Sequence, residues 1–189
     1  MGTFLSWNFR GIRSKLQDLK GLINFFNPVC IGLQETLSSN VPLKLRGYNS
    51  VRKDTVTGSN HSGGVCILTS NLYPSSTLTL HTSLQAVSVQ VYARTLVTVC
   101  CVYLPPHDVV RQQDLDTLVD QLPTPFILLG DFNGYSTLWG SDVTKSRGRQ
   151  IEQLISNVSV CSIMMRKCTS TNLHAPSPVS ILHFCRCCI

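Results

Sequence analysis

The apolar positions of the chain form short continuous runs and helical stripes, and these two patterns follow one another along the sequence. Residues 3–7 and 29–33 are mostly apolar runs of strand length, typical of strands buried in a core. Between them, apolar side chains recur every three or four residues, which predicts a helix that begins near a Ser14 cap and ends before Pro28. The first part of the chain therefore predicts a strand, a helix and a second strand.

The middle of the chain has the pattern of a sheet. Four strand-like segments are separated by Gly, Pro, Ser and Asn: residues 63–69, 77–81, 84–92 and 96–104. In the third of these, valines alternate with a serine and a glutamine, which predicts a sheet with one covered face. A helix is predicted over 109–122, a buried strand over 126–129, and a last helix capped by Ser146.

These elements predict one mixed α/β domain with sheets inside and helices outside. The length of 189 residues is enough for one sizeable core, and no repeat or linker divides the chain. The periodicity fades after Met165. Residues 1–165 are therefore interpreted as the domain and 166–189 as a divergent, Cys-rich tail of the same domain.

The composition indicates a compact protein, since 43% of the residues are hydrophobic and 14% are charged. No apolar stretch is long enough for a membrane helix, and the N-terminus lacks a secretory signal. We therefore expect an intracellular protein, nuclear or cytoplasmic, that is neither secreted nor bound to a membrane. The net charge of +6 is concentrated from Lys145 onward, which suits a polyanionic partner, although an ordinary solvated basic face explains it equally well.

The nine cysteines are read as thiols of a reducing compartment. Four of them stand inside apolar runs, where cysteine behaves as a small buried hydrophobe: Cys30, Cys66, Cys100 and Cys101. His183 and the cysteines that follow it could be a zinc cluster, but no second ligand pair stands at finger-like spacing.

Polar side chains follow three of the predicted buried strands. The first strand ends in Asn8, the second in Gln34 and Glu35, and a later one in Asp131 and Asn133. A carboxylate at a strand end costs free energy unless it is paired or binds a metal, and oxygen-rich sites suit Mg²⁺ or Mn²⁺. Each feature alone is also explained as an ordinary polar strand end.

Five motifs occur in a recognisable order. They are Trp7-Asn8, Leu33-Gln34-Glu35-Thr36, Gly63-Gly64-Val65, Tyr103-Leu104-Pro105-Pro106 and Gly130-Asp131-Phe132-Asn133. Together they resemble the endonuclease/exonuclease/phosphatase superfamily, which includes apurinic endonucleases, DNase I and inositol polyphosphate phosphatases. Trp139-Gly140 and Arg147-Gly148-Arg149 resemble the apurinic-type endonuclease domains of non-LTR retrotransposons. The resemblance covers residues 3–165 and implies a DNase I-like two-sheet α/β sandwich with outer helices, incomplete at its C-terminus.

The resemblance also implies roles for the residues of these motifs. Glu35 would be a metal ligand, with Asn8 and Asp131 at the same Mg²⁺ or Mn²⁺ ion. Tyr103 would hydrogen-bond a phosphate oxygen, while Asp131 and Asn133 would orient the attacking water. The implied reaction is the nicking of DNA by attack of an activated water on a phosphodiester. The implied protein is a monomer without a small-molecule cofactor.

Nucleic-acid contacts are expected from basic and aromatic side chains near these motifs. The candidates are Arg10, Arg52, Trp139, Arg147 and Arg149. The arginines would hold the phosphate backbone without reading its sequence. Each of them is equally explained as a solvated surface arginine, and Trp139 could pack beside the site or against a groove.

The last part of the chain departs from the resemblance. Members of the superfamily carry a further strand with an aspartate and then a terminal Ser-Asp-His, and here His183 stands where the aspartate is expected. We interpret this as a C-terminal truncation or frameshift that leaves an exposed sheet edge and impairs catalysis. Two alternatives stay open: a catalytically dead remnant that binds nucleic acid, and a phosphatase acting on a small phosphate ester.

Overall fold

The computed structural model describes residues 2–10, 12–36, 43–54, 63–157, 162–168 and 179–186, with backbone alone for 12–14, 162–168 and 179–186. In these parts of the chain, ten strands form two sheets. The four-stranded sheet has the order β1-β2-β4-β3 and the six-stranded sheet the order β5-β6-β7-β8-β10-β9. The strands are β1 (Phe4–Asn8), β2 (Cys30–Gln34), β3 (Tyr48–Lys53), β4 (Val65–Ser70), β5 (Ser75–Leu78), β6 (Gln85–Ala93), β7 (Thr95–Tyr103), β8 (Phe126–Asp131), β9 (Ser162–Cys168) and β10 (Val179–Arg186).

The helices cover the outer faces of the two sheets. They are α1 (Ile12–Phe26), α2 (Gln112–Asp120) and α3 (Ser146–Asn157), with a short 3-10 helix at Thr137–Trp139. Leu19 of α1 is buried against the four-stranded sheet, while Leu118 of α2 and Ile151 of α3 are buried against the six-stranded sheet. None of the helices in the described parts of the chain is long and apolar enough to cross a membrane.

The two sheets pack face to face around a shared core. Apolar residues from both sheets fill it, such as Val65 and Ile67 of β4 against Val89 and Val99 of the other sheet. The sheets approach closely at Gly32 of β2, where a Cβ atom would lie only 3.0 Å from the Cys101 sulfur. The predicted two-sheet α/β sandwich with outer helices is therefore confirmed.

The strand register brings four strand ends to the same side of the sandwich. β1 and β2 are parallel, with Asn8 opposite Gln34, and β7 and β8 are parallel, with Tyr103 opposite Asp131. Carboxyl ends of parallel strands lie at the same edge of a sheet. Because the two sheets face each other, the polar residues at these ends can meet across the gap between them.

Most predicted elements are present, with several differences in detail. The first helix begins at Ile12 and the last begins at Ser146 itself, so Ser14 and Ser146 lie inside these helices and are not their caps. Strand β3 was not predicted, because its sequence Tyr-Asn-Ser-Val-Arg-Lys has no apolar run. The third strand of the middle block is covered on both faces near its centre, since Ser88 is buried and its hydroxyl donates to the Val99 carbonyl.

The prediction that Cys30, Cys66, Cys100 and Cys101 are buried is confirmed, and all four are free thiols. β9 crosses the proposed boundary at residue 165, and β10, within the Cys-rich tail, lies between β8 and β9. The cluster that begins at His183 lies outside the residues whose side chains are described.

Candidate active site

Four polar side chains meet where the carboxyl ends of β1, β2, β7 and β8 converge. The Asn8 amide donates both of its hydrogens, one to Glu35 Oε1 and one to Asp131 Oδ2, each at 2.7 Å. The Tyr103 hydroxyl donates to the same Glu35 oxygen at 3.0 Å. Asn8 thus joins two carboxylates that come from different sheets.

Asn133 contacts this group through its backbone. Its N–H donates to Asp131 Oδ1 at 3.0 Å, and its side-chain amide donates to the Leu104 carbonyl at 3.1 Å. Both Asp131 oxygens therefore accept a hydrogen bond, which fixes the orientation of the carboxylate. Asn133 positions Asp131 and joins it to the segment that follows Tyr103.

The backbone turns sharply at the site. Arg10, Glu35 and Asn133 have φ angles of 41°, 50° and 46°, in the left-handed region that non-glycine residues seldom adopt. Such conformations cost roughly 1–3 kcal/mol each and persist where the surrounding structure enforces them. Here they let the chain leave each strand directly after its functional residue.

Gly64 forms the wall beside Glu35. A Cβ atom at this position would lie 2.6 Å from Thr36 Oγ1, and the residue has a φ of 88°. The Gly64 carbonyl accepts from the Thr36 N–H at 3.3 Å, and its N–H donates to Gln85 at 2.8 Å. The Gly-Gly-Val motif therefore supports the turn that carries Glu35.

Burial and negative charge keep Tyr103 protonated. Desolvation raises the pKa of its hydroxyl, and the charge of Glu35, its hydrogen bond to the tyrosine and the charge of Asp131 raise it further. Tyr103 is therefore a neutral hydrogen-bond donor at physiological pH. The Arg10 guanidinium, 70% exposed, lies 4.0 Å from Glu35 and contributes little in solvent.

The donor atoms of this group suit a hard divalent cation. Asn8 Oδ1 is buried and has no hydrogen-bond partner in the described parts of the chain, and it lies beside two carboxylates that share one amide group. Among the side chains that the structure describes, no cluster of three or more His, Cys, Asp or Glu residues could hold a metal. Mg²⁺ usually takes one or two carboxylates and completes its shell with water and phosphate oxygens, so the set present fits it.

A buried polar cluster, formed by Ser6, Gln34 and Cys101, lies directly behind the site. Gln34 is 1% exposed, and its amide donates to Ser6 Oγ and to Cys101 Sγ, each at 3.1 Å. Ser6 and Cys101 stand two residues before the site asparagine and tyrosine on β1 and β7. The cluster therefore joins three strands that carry site residues. The sequence marked Gln34 as a polar strand end but gave no sign of its partners.

The side chains predicted to contact nucleic acid lie in different environments. Arg10 is exposed next to Glu35. Arg52 lies on the edge strand β3 and is ion-paired with Asp54 at 2.5 Å. The Lys53 end of that strand pairs with Val65, which in turn pairs with Gln34, so Arg52 is at the same end of the sandwich as the site.

The Arg147 side chain forms hydrogen bonds within the protein. Its guanidinium donates to the carbonyls of Leu104, at 3.4 Å, and Pro105, at 2.6 Å, and also to that of Asp108. These bonds attach α3 to the segment after Tyr103. A structural role accounts for Arg147 at least as well as the predicted contact with DNA.

Trp139 and Arg149 lie on either side of the start of α3. The Trp139 indole N–H donates to the Gly134 carbonyl at 2.9 Å, and its ring packs against the core of the six-stranded sheet. Arg149 is exposed and donates to the Thr144 carbonyl at 3.1 Å. Arg149 therefore presents positive charge to solvent, while Trp139 is mainly a packing residue.

The fold is that of the DNase I-like nucleases. Residues 97–183 match the family described as Endonuclease-reverse transcriptase. A similar solved structure is the endonuclease domain of TRAS1, a telomere-specific non-LTR retrotransposon, with a TM-score of 0.70 and 18% identity over 96% of this chain and 84% of that one. An AP endonuclease from Archaeoglobus fulgidus gives a TM-score of 0.59 and 15% identity over 97% of this chain and 87% of that one.

Two curated proteins of transposable elements are also similar to this chain in sequence. The chain is 26% identical over 166 residues to the probable RNA-directed DNA polymerase from transposon X-element of Drosophila melanogaster, which covers 84% of this chain and 18% of the relative. It is 24% identical over 155 residues to the RNA-directed DNA polymerase from mobile element jockey of the same organism, covering 80% and 17%. The chain thus spans less than a fifth of these relatives. The predicted resemblance to non-LTR retrotransposon endonucleases is confirmed.

Proposed function

We propose that the chain is a metal-dependent phosphodiesterase of the retrotransposon endonuclease type, which nicks DNA. The observation that carries this proposal is the hydrogen-bonded group of Asn8, Glu35, Tyr103 and Asp131 at the meeting point of two packed sheets. Two carboxylates that share one amide cost free energy at the edge of an apolar core unless their charge is compensated. A ligand that compensates this charge therefore explains the group.

Glu35, Asp131 and Asn8 Oδ1 would hold Mg²⁺ or Mn²⁺. The ion, when bound, supplies charge neutralisation at the phosphate oxygens and favours ionisation of water. Asn8 keeps the two carboxylates together by donating to both. Its unpartnered oxygen is the remaining buried acceptor of the group.

The other residues act on the phosphate and on water. Tyr103, held neutral by burial and by Glu35, would turn its one hydroxyl hydrogen from Glu35 Oε1 to a non-bridging oxygen of the phosphate, which stabilises the charge of the transition state. Asp131, fixed by the N–H of Asn133, accepts a hydrogen bond from the attacking water and orients it. Water adds to phosphorus, one ester P–O bond breaks, and the products are a phosphomonoester and a hydroxyl group.

Two measurements test this proposal. Conversion of supercoiled plasmid to the nicked form in Mg²⁺ measures activity, and Mn²⁺ binding followed by electron paramagnetic resonance measures the site even where turnover is slow. Glu35→Gln and Asp131→Asn are expected to lower both. Asp120→Asn serves as the matched control, because Asp120 is exposed at the end of α2, before the start of β8 and not at its Asp131 end. Mn²⁺ binding that is equally tight in wild type and in both site variants would refute the assignment.

A nucleic-acid-binding chain without cleavage is the second candidate. Among the residues whose side chains are described, no histidine belongs to the hydrogen-bonded group of Asn8, Glu35, Tyr103 and Asp131, since His81 and His107 are exposed in loops. DNA binding and Mn²⁺ binding without any nicking would favour this candidate over the endonuclease.

A further inference from the structure

The segment from Gly134 to Lys145, called the 134–145 loop below, exposes large apolar side chains beside the candidate site. Tyr135, Leu138 and Val143 are 54%, 74% and 56% exposed. A single exposed apolar residue needs no explanation, but several on one loop indicate a surface that contacts a partner.

The loop is ordered by its own hydrogen bonds. The buried Ser136 hydroxyl accepts from the Leu138 N–H at 3.0 Å and donates to Glu152 of α3. The Trp139 indole donates to Gly134 at 2.9 Å. The apolar side chains are therefore held outward by a fixed backbone, so a partner would bind without first having to order the loop.

Positive charge accompanies these apolar side chains. Lys145 Nζ lies 4.5 Å from the centre of the Tyr135 ring, and Arg149 is exposed one turn into α3. The first turn of α3 contains no acidic residue, while Asp142 is an exposed acid of the loop. The surface therefore combines apolar groups with cations, which complements the sugars, bases and phosphates of a nucleic acid.

The loop starts at the candidate site itself. Tyr135 follows Asn133 by two residues, so their Cα atoms are at most about 7.6 Å apart, and the Asn133 N–H contacts Asp131. Asn133 and Arg147, before and after the loop, both donate to the Leu104 carbonyl. A strand whose phosphate lay at Asp131 would therefore run next to the loop.

We propose that the 134–145 loop docks on the DNA strand beside the cleaved phosphate. In this arrangement Tyr135 and Leu138 contact sugars and bases, while Lys145 and Arg149 contact flanking phosphates. The inference rests on the proposed function and adds to it a contact that is insensitive to salt. Phosphate contacts weaken as salt rises because they release counterions, whereas stacking and apolar contacts do not.

Fluorescence anisotropy with a labelled DNA duplex, in EDTA to prevent cleavage, tests the inference. Tyr135→Ala and Leu138→Ser are each expected to weaken binding by about fivefold or more at every salt concentration, with the slope of log affinity against log salt unchanged. Lys145→Gln and Arg149→Gln are expected to reduce that slope by about 0.9 each, since each removes one phosphate contact.

Matched controls lie at the opposite end of the sandwich. Tyr92 is 55% exposed near the end of β6, and Leu72 is 75% exposed just after β4; both strand ends are remote from Tyr103 and Glu35. Tyr92→Ala and Leu72→Ser should bind DNA as wild type does. Wild-type binding by the loop variants, with or without a change in self-association, would overturn this inference alone. No DNA binding by the wild-type chain would overturn the proposed function as well.

Discussion

Replacing Glu35 with glutamine should make the metal-free chain more stable and remove most of its stabilisation by Mg²⁺ or Mn²⁺. In the wild type, Glu35 Oε1 and Asp131 Oδ2 are each 2.7 Å from the same nitrogen of Asn8, so they are less than about 5.4 Å apart. Two negative charges at this distance repel each other, and a bound cation relieves the repulsion. Glu35→Gln removes one charge and keeps the side-chain volume.

The magnitude follows from the distance and the exposure. Two unit charges about 5 Å apart repel by about 0.8 kcal/mol in water and about 3 kcal/mol at an effective dielectric constant of 20. The Glu35 side chain is 18% exposed, so we expect a net gain of about 1 kcal/mol, or roughly 2–4 °C in Tm for a chain of this size. The glutamine oxygen can still accept from Asn8 and Tyr103, and the exposed Arg10 contact that is lost is weak.

Urea and thermal unfolding in EDTA, repeated in excess Mg²⁺ or Mn²⁺, measure both effects. A cation that binds only the folded state adds stability that grows with its concentration relative to Kd. Wild type should gain on addition of metal and Glu35→Gln should gain much less. Asp120→Asn, which also replaces a carboxylate by an amide but outside the site, should respond to metal as wild type does.

The reasoning would be refuted by a loss of stability for Glu35→Gln in EDTA. Such a loss would show that the hydrogen bonds of the carboxylate outweigh its repulsion from Asp131. Equal stabilisation of both proteins by metal would show that the cation binds elsewhere.

Three further predictions concern the core, the thiols and the activity. Gln34→Leu should lower the free energy of unfolding, measured in urea, by about 1–3 kcal/mol, because it leaves Ser6 without its buried hydrogen-bond partner. Adding Ser6→Ala should restore part of the lost stability. A double variant no more stable than Gln34→Leu would contradict this explanation. Burial raises the pKa of Cys66 and Cys101 to about 12, so these thiols stay protonated when folded but ionise near pH 9 when unfolded. The free energy of unfolding should therefore be unaffected below pH 9 and fall as pH rises from about 9 toward 12, by up to about 1.4 kcal/mol per pH unit for each thiol. In denaturation curves measured over this pH range, Cys66→Ala should make the fall less steep. An equally steep fall in Cys66→Ala would contradict this prediction. Asp131→Ala should slow the nicking of supercoiled plasmid in Mg²⁺ by about 10²–10⁴-fold, the factor that a general acid or base contributes, because Asp131 would orient the attacking water. Nicking by Asp131→Ala at the wild-type rate would overturn this expectation.

The sequence alone determined the main strands, the helices and the residues at the strand ends. Apolar runs such as Cys30–Gln34 and Phe126–Asp131 are local signals, because burial on both faces requires nearly every side chain to be apolar. A polar residue at the end of such a run is conspicuous for the same reason. That is why Asn8, Glu35 and Asp131 could be selected before their positions in the fold were known, although their catalytic roles stay predictions.

The tertiary structure alone decided which of these residues meet and which arginines face solvent. Periodicity within one segment cannot show that Asn8 lies between carboxylates from two sheets, or that Gln34 contacts Ser6 and Cys101, since those contacts span long distances in sequence. Strand β3 could not be predicted from the sequence, because an exposed edge strand needs no apolar run. Arg147 and Arg149 look alike in sequence, yet one donates to three carbonyls of a neighbouring segment and the other is exposed to solvent, because hydrogen-bond partners are set by packing.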